Sequence, residues 1–139
     1  METGFPNATN LITVMAFITD TTEKHRISSP ECKSQMRPVQ DALDILHGKW
    51  KLLILMSLSD GPMRFKEIQR QVEGITAKML SKELKDLEIN DLVARTVYDT
   101  TPVAVEYAQT HYGKSLKKVI DELHAWGVQH RKRVMRKSN

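Results

Sequence analysis

Gly74-Ile75-Thr76-Ala77-Lys78-Met79-Leu80-Ser81-Lys82-Glu83-Leu84-Lys85-Asp86-Leu87-Glu88-Ile89-Asn90 is the stretch on which the fold turns. Thr76 is a residue type that caps helix N-termini, and the helix it opens runs to about Asn90. At about 100° per residue, Ala77, Leu80, Leu84 and Leu87 fall within roughly 80° of one another, while Lys78, Lys82 and Lys85 fall within about 60° on the opposite side. One face is built to pack and the other is cationic.

Upstream, Phe65, Ile68 and Val72 share a helical face, and Glu73-Gly74-Ile75 makes a tight connection, so this part of the chain reads as helix, short turn, helix. Asp60-Gly61-Pro62 is a turn before it. The run Trp50 to Leu58 is apolar nearly all round (Leu52, Leu53, Ile54, Leu55, Met56), which predicts a helix buried on most sides. Ahead of Gly48, a helix is expected to start at Pro38, with Val39, Ala42, Leu43 and Leu46 on one face. Beyond Asp91 the period drops to two: Val93, Arg95 and Val97 alternate with Ala94, Thr96 and Tyr98. Asp99 to Pro102 turn, and Val103, Val105 and Tyr107 alternate again, predicting a hairpin. A long helical stripe closes the chain: Leu116, Val119, Ile120, Leu123, Trp126, His130 and Val134. The order predicts a mainly α protein with a small β-hairpin, a winged helix-turn-helix. The stripe of the long C-terminal helix continues past Trp126 to Val134, beyond what one domain must cover, and Gly127 beside it would let two backbones approach closely, so it is expected to be a dimerisation helix.

The 139 residues are enough for one core without a disulfide or structural metal. Residues 1–36 read as an N-terminal extension and possible dimer contact, 37–110 as the winged helix-turn-helix, and 111–139 as the dimerisation helix with a basic tail. Leu11 to Ile18 is an apolar patch that either packs on a partner or belongs to a loose terminus. It is far shorter than the ~20 residues of a spanning helix, and no Lys or Arg precedes it, so neither a membrane nor a secretion signal is expected. A single cysteine, Cys32, cannot form an intrachain bridge, which fits a reducing, cytoplasmic setting. It is also the one candidate redox residue, with Lys33 and Arg37 nearby as the positive charge that thiol reactivity exploits.

Charge is unevenly spread. The formal net charge is +4, from 21 Lys+Arg against 17 Asp+Glu. Residues 1–37 are balanced, so the surplus lies in the remainder, chiefly between Met63 and Lys85 and in Arg131, Lys132, Arg133, Arg136 and Lys137. Such clustering favours a polyanionic partner. Nothing resembles a catalytic centre: the five histidines are scattered, and there is no phosphate-binding glycine loop, nucleophile motif or metal-ligand spacing. No enzyme activity, metal or cofactor is expected.

Gly48-Lys49-Trp50, Gly61-Pro62-Met63-Arg64-Phe65, Gly74-Ile75-Thr76, Leu84-Lys85-Asp86-Leu87, Val105-Glu106-Tyr107 and Trp126-Gly127, in that order, resemble the HxlR-type winged helix-turn-helix transcriptional regulators. The resemblance runs from roughly Pro38 to His130. It implies a prokaryotic homodimer that binds double-stranded DNA, with a recognition helix at about 76–90 in the major groove. The wing, about 93–107, would then lie on the flanking backbone or minor groove, and the terminal segments would build the dimer. The chain departs from the family pattern at Arg37, where a cysteine is usual, at Val103-Ala104, where a basic residue is frequent, and at Gln109, where Leu is usual. Asp91 replaces a glycine, so Asn90 or Asp91 has to accept a left-handed backbone if the turn needs one.

A cationic helix of this kind suits a groove about 12 Å wide with phosphates on both sides. Thr76, Lys78, Met79 and Ser81 lie toward its N-terminus and are expected to read base edges, with Lys82 and Lys85 on phosphates. Arg64 and Lys66, beside the start of the preceding helix, and Arg95 on the first wing strand are further DNA-contact candidates. Thr96 and Tyr98 are weaker hydrogen-bonding ones. Leu116, Val119, Ile120, Leu123, Trp126, Gly127 and His130 are expected at the dimer interface; the alternative is that this stripe packs onto the chain's own first helices. A symmetric dimer predicts a pseudo-palindromic operator with half-sites about 34 Å apart or a multiple. No effector is legible. The rival reading is a winged helix whose lysine face docks an acidic protein partner.

Overall fold

The structure, a computed structural model, describes residues 30–138; the apolar patch Leu11 to Ile18 lies outside the described residues. The chain divides into two compact units between Asp44 and Ile45. The first helix, α1 (Pro30–Leu46), begins in the former and ends in the latter. It does not start at Pro38, as the sequence suggested. Pro30 takes the first turn, where a missing N–H costs nothing, and Pro38 sits in the interior. The apolar periodicity explains the continuity: Cys32, Met36, Val39 and Leu43 recur at helical spacings straight through Pro38. Met36, Val39 and Leu43 are exposed along this stripe.

In the second unit, Gly48 with φ +90° separates α1 from α2 (Lys51–Ser57). Ile54, Leu55 and Leu58 are buried, but Leu53 and Met56 are each 41% exposed. This helix is therefore one-sided rather than buried on most sides, because the elements it packs on, α3 (Phe65–Gln71) and α4 (Ala77–Ile89), cover only one flank. The turn at Gly61 (φ +142°) leads into β1 (Met63–Arg64), a strand too short for alternation to reveal. With β2 (Val93–Tyr98) and β3 (Ala104–Gln109) it makes an antiparallel sheet in the order β1-β3-β2, so the hairpin carries a third strand. Met63 and Arg95 both pair with Tyr107, and Arg64 and Thr96 both pair with Glu106.

The core is Ile54, Leu55, Leu58, Ile68, Val72, Ile75, Leu80, Leu84, Leu87, Leu92 and Val93, with Trp50, Phe65, Tyr107, Leu116 and Ile120 packed against it. Each fully buried aliphatic side chain contributes about 1.5–3 kcal/mol. The tie between core and wing is tight. After β3, Thr110 caps the short helix α5 (His111–Lys114) by accepting from Gly113 N–H at 2.9 Å. A Cβ on buried Gly113 would stand 2.1 Å from the carbonyl oxygen of Leu92, so only glycine lets α5 close on the start of β2. Then α6 (Lys117–Lys137) runs 21 residues with no fully buried side chain.

Candidate nucleic-acid interface

The α3–turn–α4 unit presents the cationic face. Glu67 accepts from the Arg64 backbone N–H at 2.7 Å, satisfying an orphan donor at the start of α3. Thr76 caps α4 as the sequence implies, its hydroxyl accepting from Met79 N–H at 3.1 Å. Leu80, Leu84 and Leu87 then fall on the core while Lys78, Lys82 and Lys85 are exposed.

At the other end, Leu92 N–H donates to Leu87 O at 2.9 Å and Asp91 N–H to Glu88 O at 3.0 Å, with Asp91 at φ +57°. This is a Schellman ending with Asp91 in the left-handed place that glycine usually fills. Buried Leu92 follows it and starts the wing.

The candidate residues are distributed as follows. Ser81 is exposed on α4, as are Arg64 and Lys66 at the start of α3. Thr76 Oγ1 uses one of its two lone pairs on the cap, leaving its O–H and the second lone pair available to a base. Met79 is half-buried and packs against the core, so it offers less to a ligand than its neighbours. On the wing, Arg95 and Thr96 are exposed but lie on opposite faces of the sheet, by the alternation of a strand. Arg64, Glu106 and Thr96 share one row. Tyr98, on the Thr96 face, hydrogen-bonds Glu106, and that bond together with the carboxylate charge raises the phenol above its ordinary value of 10.0.

The C-terminal stripe divides. Leu116 and Ile120 are half-buried against the chain's own core, whereas Val119, Leu123, Trp126 and Val134 are exposed. Trp126, 67% exposed, stacks on His130 with ring centroids 5.1 Å apart and an interplanar angle of 8°. Half-buried Gly127 has open space where a Cβ would be. Cys32 is half-buried in the first turn of α1. Among the described residues no three His, Cys, Asp or Glu side chains come together as a metal site, and no helix is long and apolar enough to cross a membrane.

Three residues form a contact that the periodicity does not announce. Lys51 Nζ lies 2.5 Å from Glu83 Oε2 and 3.5 Å from Asp86 Oδ2, joining α2 to α4. The signal was there: a lysine at the head of Lys51-Leu52-Leu53-Ile54-Leu55-Met56 in a helix expected to be buried requires a partner. Gln109, a departure from the family pattern, also acquires a role, donating from Nε2 to Leu55 O and so tying β3 to α2.

Comparison with known proteins agrees with this geometry. Residues 45–135 match the model of the HxlR-like helix-turn-helix family. The chain is similar to the uncharacterized HTH-type transcriptional regulator YtcD of Bacillus subtilis, 42% identical over 96 residues, which cover 69% of this chain and 76% of YtcD. It is likewise similar to the uncharacterized HTH-type transcriptional regulator BH0655 of Halalkalibacterium halodurans, 41% identical over 108 residues, covering 73% of this chain and 96% of that protein. Among solved structures, the redox regulator HypR in its reduced form superposes with a TM-score of 0.67 at 36% identity, covering 70% of this chain and 97% of that one. These relatives carry the names of regulators, not enzymes. The chain belongs to the HxlR-like helix-turn-helix family of winged-helix transcriptional regulators.

Proposed function

We propose that the protein binds double-stranded DNA sequence-specifically as a homodimer, with α4 in the major groove and the β2–β3 wing on the flanking backbone or minor groove. The observation that carries this reading is the two-sidedness of α4: Leu80, Leu84 and Leu87 are buried while Lys78, Lys82 and Lys85 stand exposed on the other side. Such a helix, following a helix and a short turn, meets the steric and electrostatic demands of a groove lined by phosphates. Thr76, Lys78 and Ser81 are assigned to base edges, Met79 to a lesser apolar contact, Lys82 and Lys85 to phosphates, and Arg64 and Lys66 to weaker DNA contacts at the start of α3. Arg95 is assigned to the backbone from one face of the wing and Thr96 from the other, with Tyr98 the weakest contact because its O–H is already given to the Glu106 carboxylate.

Homodimerisation is assigned to the exposed part of the α6 stripe, Val119, Leu123, Trp126, Gly127 and His130, with Leu116 and Ile120 bracing that helix on its own core. Cys32 is assigned to thiol oxidation that modulates DNA affinity; Cys32→Ser retaining a full affinity response to hydrogen peroxide contradicts that assignment. Selection of bound sequences from random duplex DNA tests the main reading. The expected product is a pseudo-palindrome whose half-sites are one helical turn, or a multiple, apart. An unsymmetrical site, or no enrichment, contradicts it.

A further inference from the structure

Among the described residues, Lys51 and Glu83 are the two buried charged side chains, 2% and 7% exposed. Both belong to the packing of α2 against α4. Glu83 and Asp86 stand one turn apart on α4, about 4.5 Å along its axis. The single ammonium of Lys51 reaches both carboxylates, at 2.5 and 3.5 Å. The same turn of α4 is further fixed by Asn90, whose Nδ2 donates to Asp86 O at 2.9 Å.

By helical position, these two acids occupy the flank between the leucine face and the lysine face of α4. That location matters. Contact among Leu80, Leu84, Leu87 and the α2 aliphatics is non-directional, and apolar faces tolerate small rolls and slides at little cost. An ion pair with hydrogen-bond geometry does not, because its energy falls steeply with distance and angle. One cation clamped between two anions on successive turns opposes both a roll of α4 about its axis and a slide along it. A roll of only 20° moves the outer edge of a helix by about 2 Å. A displacement of that size removes hydrogen bonds to base edges, yet a lysine's long flexible arm still reaches a phosphate.

We infer that Lys51, clamped by Glu83 and Asp86, is a positioning residue that sets the rotational register of α4 and thereby governs sequence discrimination rather than overall DNA affinity. A buried pair is a poor route to raw stability, since apolar replacements of similar volume are commonly as stable; its use lies in specifying one arrangement. The inference rests on α4 being the recognition helix.

The test uses the full-length chain and two multiple variants, because Lys51→Met alone leaves Glu83 buried without a counter-charge and threatens folding. Lys51→Met/Glu83→Leu replaces the pair by apolar groups, and Lys51→Glu/Glu83→Lys/Asp86→Asn exchanges its charges while removing the second acid, which would otherwise repel the exchanged carboxylate. Each is assayed for folding by circular dichroism and for affinity toward a selected operator and a scrambled duplex. The apolar variant is expected to fold and to bind the scrambled duplex with unchanged affinity and salt slope, while its operator-to-scrambled ratio drops at least tenfold. The exchanged variant is expected to recover most of that ratio. A folded apolar variant that keeps the native ratio within twofold overturns the inference and leaves the DNA-binding reading intact, as does a folded exchanged variant that recovers nothing. A native chain with no preference between the two duplexes overturns both.

Discussion

Thr110 joins three parts of the chain. Its hydroxyl donates to Asp91 O and accepts from Gly113 N–H, and its own N–H donates to Leu92 O at 3.1 Å. The end of the wing is therefore bonded to the turn that ends α4. Asp91 occupies that turn at φ +57°, where an L-residue other than glycine is strained by about 1–2 kcal/mol. Asp91→Gly relieves the strain but adds unfolded-chain entropy, for an expected net gain of about 0.5–1 kcal/mol. The check is a higher urea midpoint at unchanged m; a lower midpoint contradicts it.

Tyr98 offers a second test at this scale. Its phenol is raised because it hydrogen-bonds the Glu106 carboxylate. A tyrosine raised in the folded state contributes stability that is fully present below its unfolded value near 10 and is lost as pH climbs through the raised value. Glu106→Gln removes the charge, so tyrosinate absorbance is expected to appear at lower pH in that variant than in the native chain. Identical titrations would contradict the pairing.

At the scale of elements, the leucine and lysine arcs of α4 were legible because two periodic patterns coincide on one helix, and the structure buries the one and exposes the other. The hairpin was legible from its period of two. Three features were not. Met63–Arg64 is two residues long, which leaves no alternation to detect. The start of α1 was hidden by Pro38, which marks a helix beginning far more often than a helix interior. The ion pair of Lys51 joins residues 32 positions apart, and periodicity along one helix says nothing about what meets it from another.

The α6 stripe carries the prediction for this scale. Trp126, the one large aromatic side chain of that helix, is exposed and stacked on His130. A dimer that buries this plate would desolvate a glutamate at its centre. Trp126→Glu is therefore expected to shift the protein in sedimentation from twice the 15.9 kDa chain mass to a single chain, with the circular dichroism unchanged. A native chain that already sediments singly contradicts the homodimer.

For the whole molecule, the distribution of charge decides which partner fits. The lysines of α4 are matched in number by Glu83, Asp86 and Glu88, but Glu83 and Asp86 turn toward Lys51 while Lys78, Lys82 and Lys85 share an exposed face; the net surplus itself falls on α3 and its start and on the end of α6. Contacts to about three phosphates per protomer, six per dimer, give a slope of log affinity against log salt near −5. An acidic protein partner has no condensed counterions to release in this manner, so salt dependence separates the two readings.

The most direct measurement is therefore the affinity of the native chain and of Lys82→Glu for duplex operator DNA across a range of salt concentrations. The native slope is expected near −5, and the charge reversal, which removes one phosphate contact from each protomer, is expected to weaken binding strongly and flatten the slope to about −3.5. A native affinity indifferent to salt, and unchanged by Lys82→Glu, would contradict the assignment of α4 to DNA and favour an acidic protein as the partner of its lysine face.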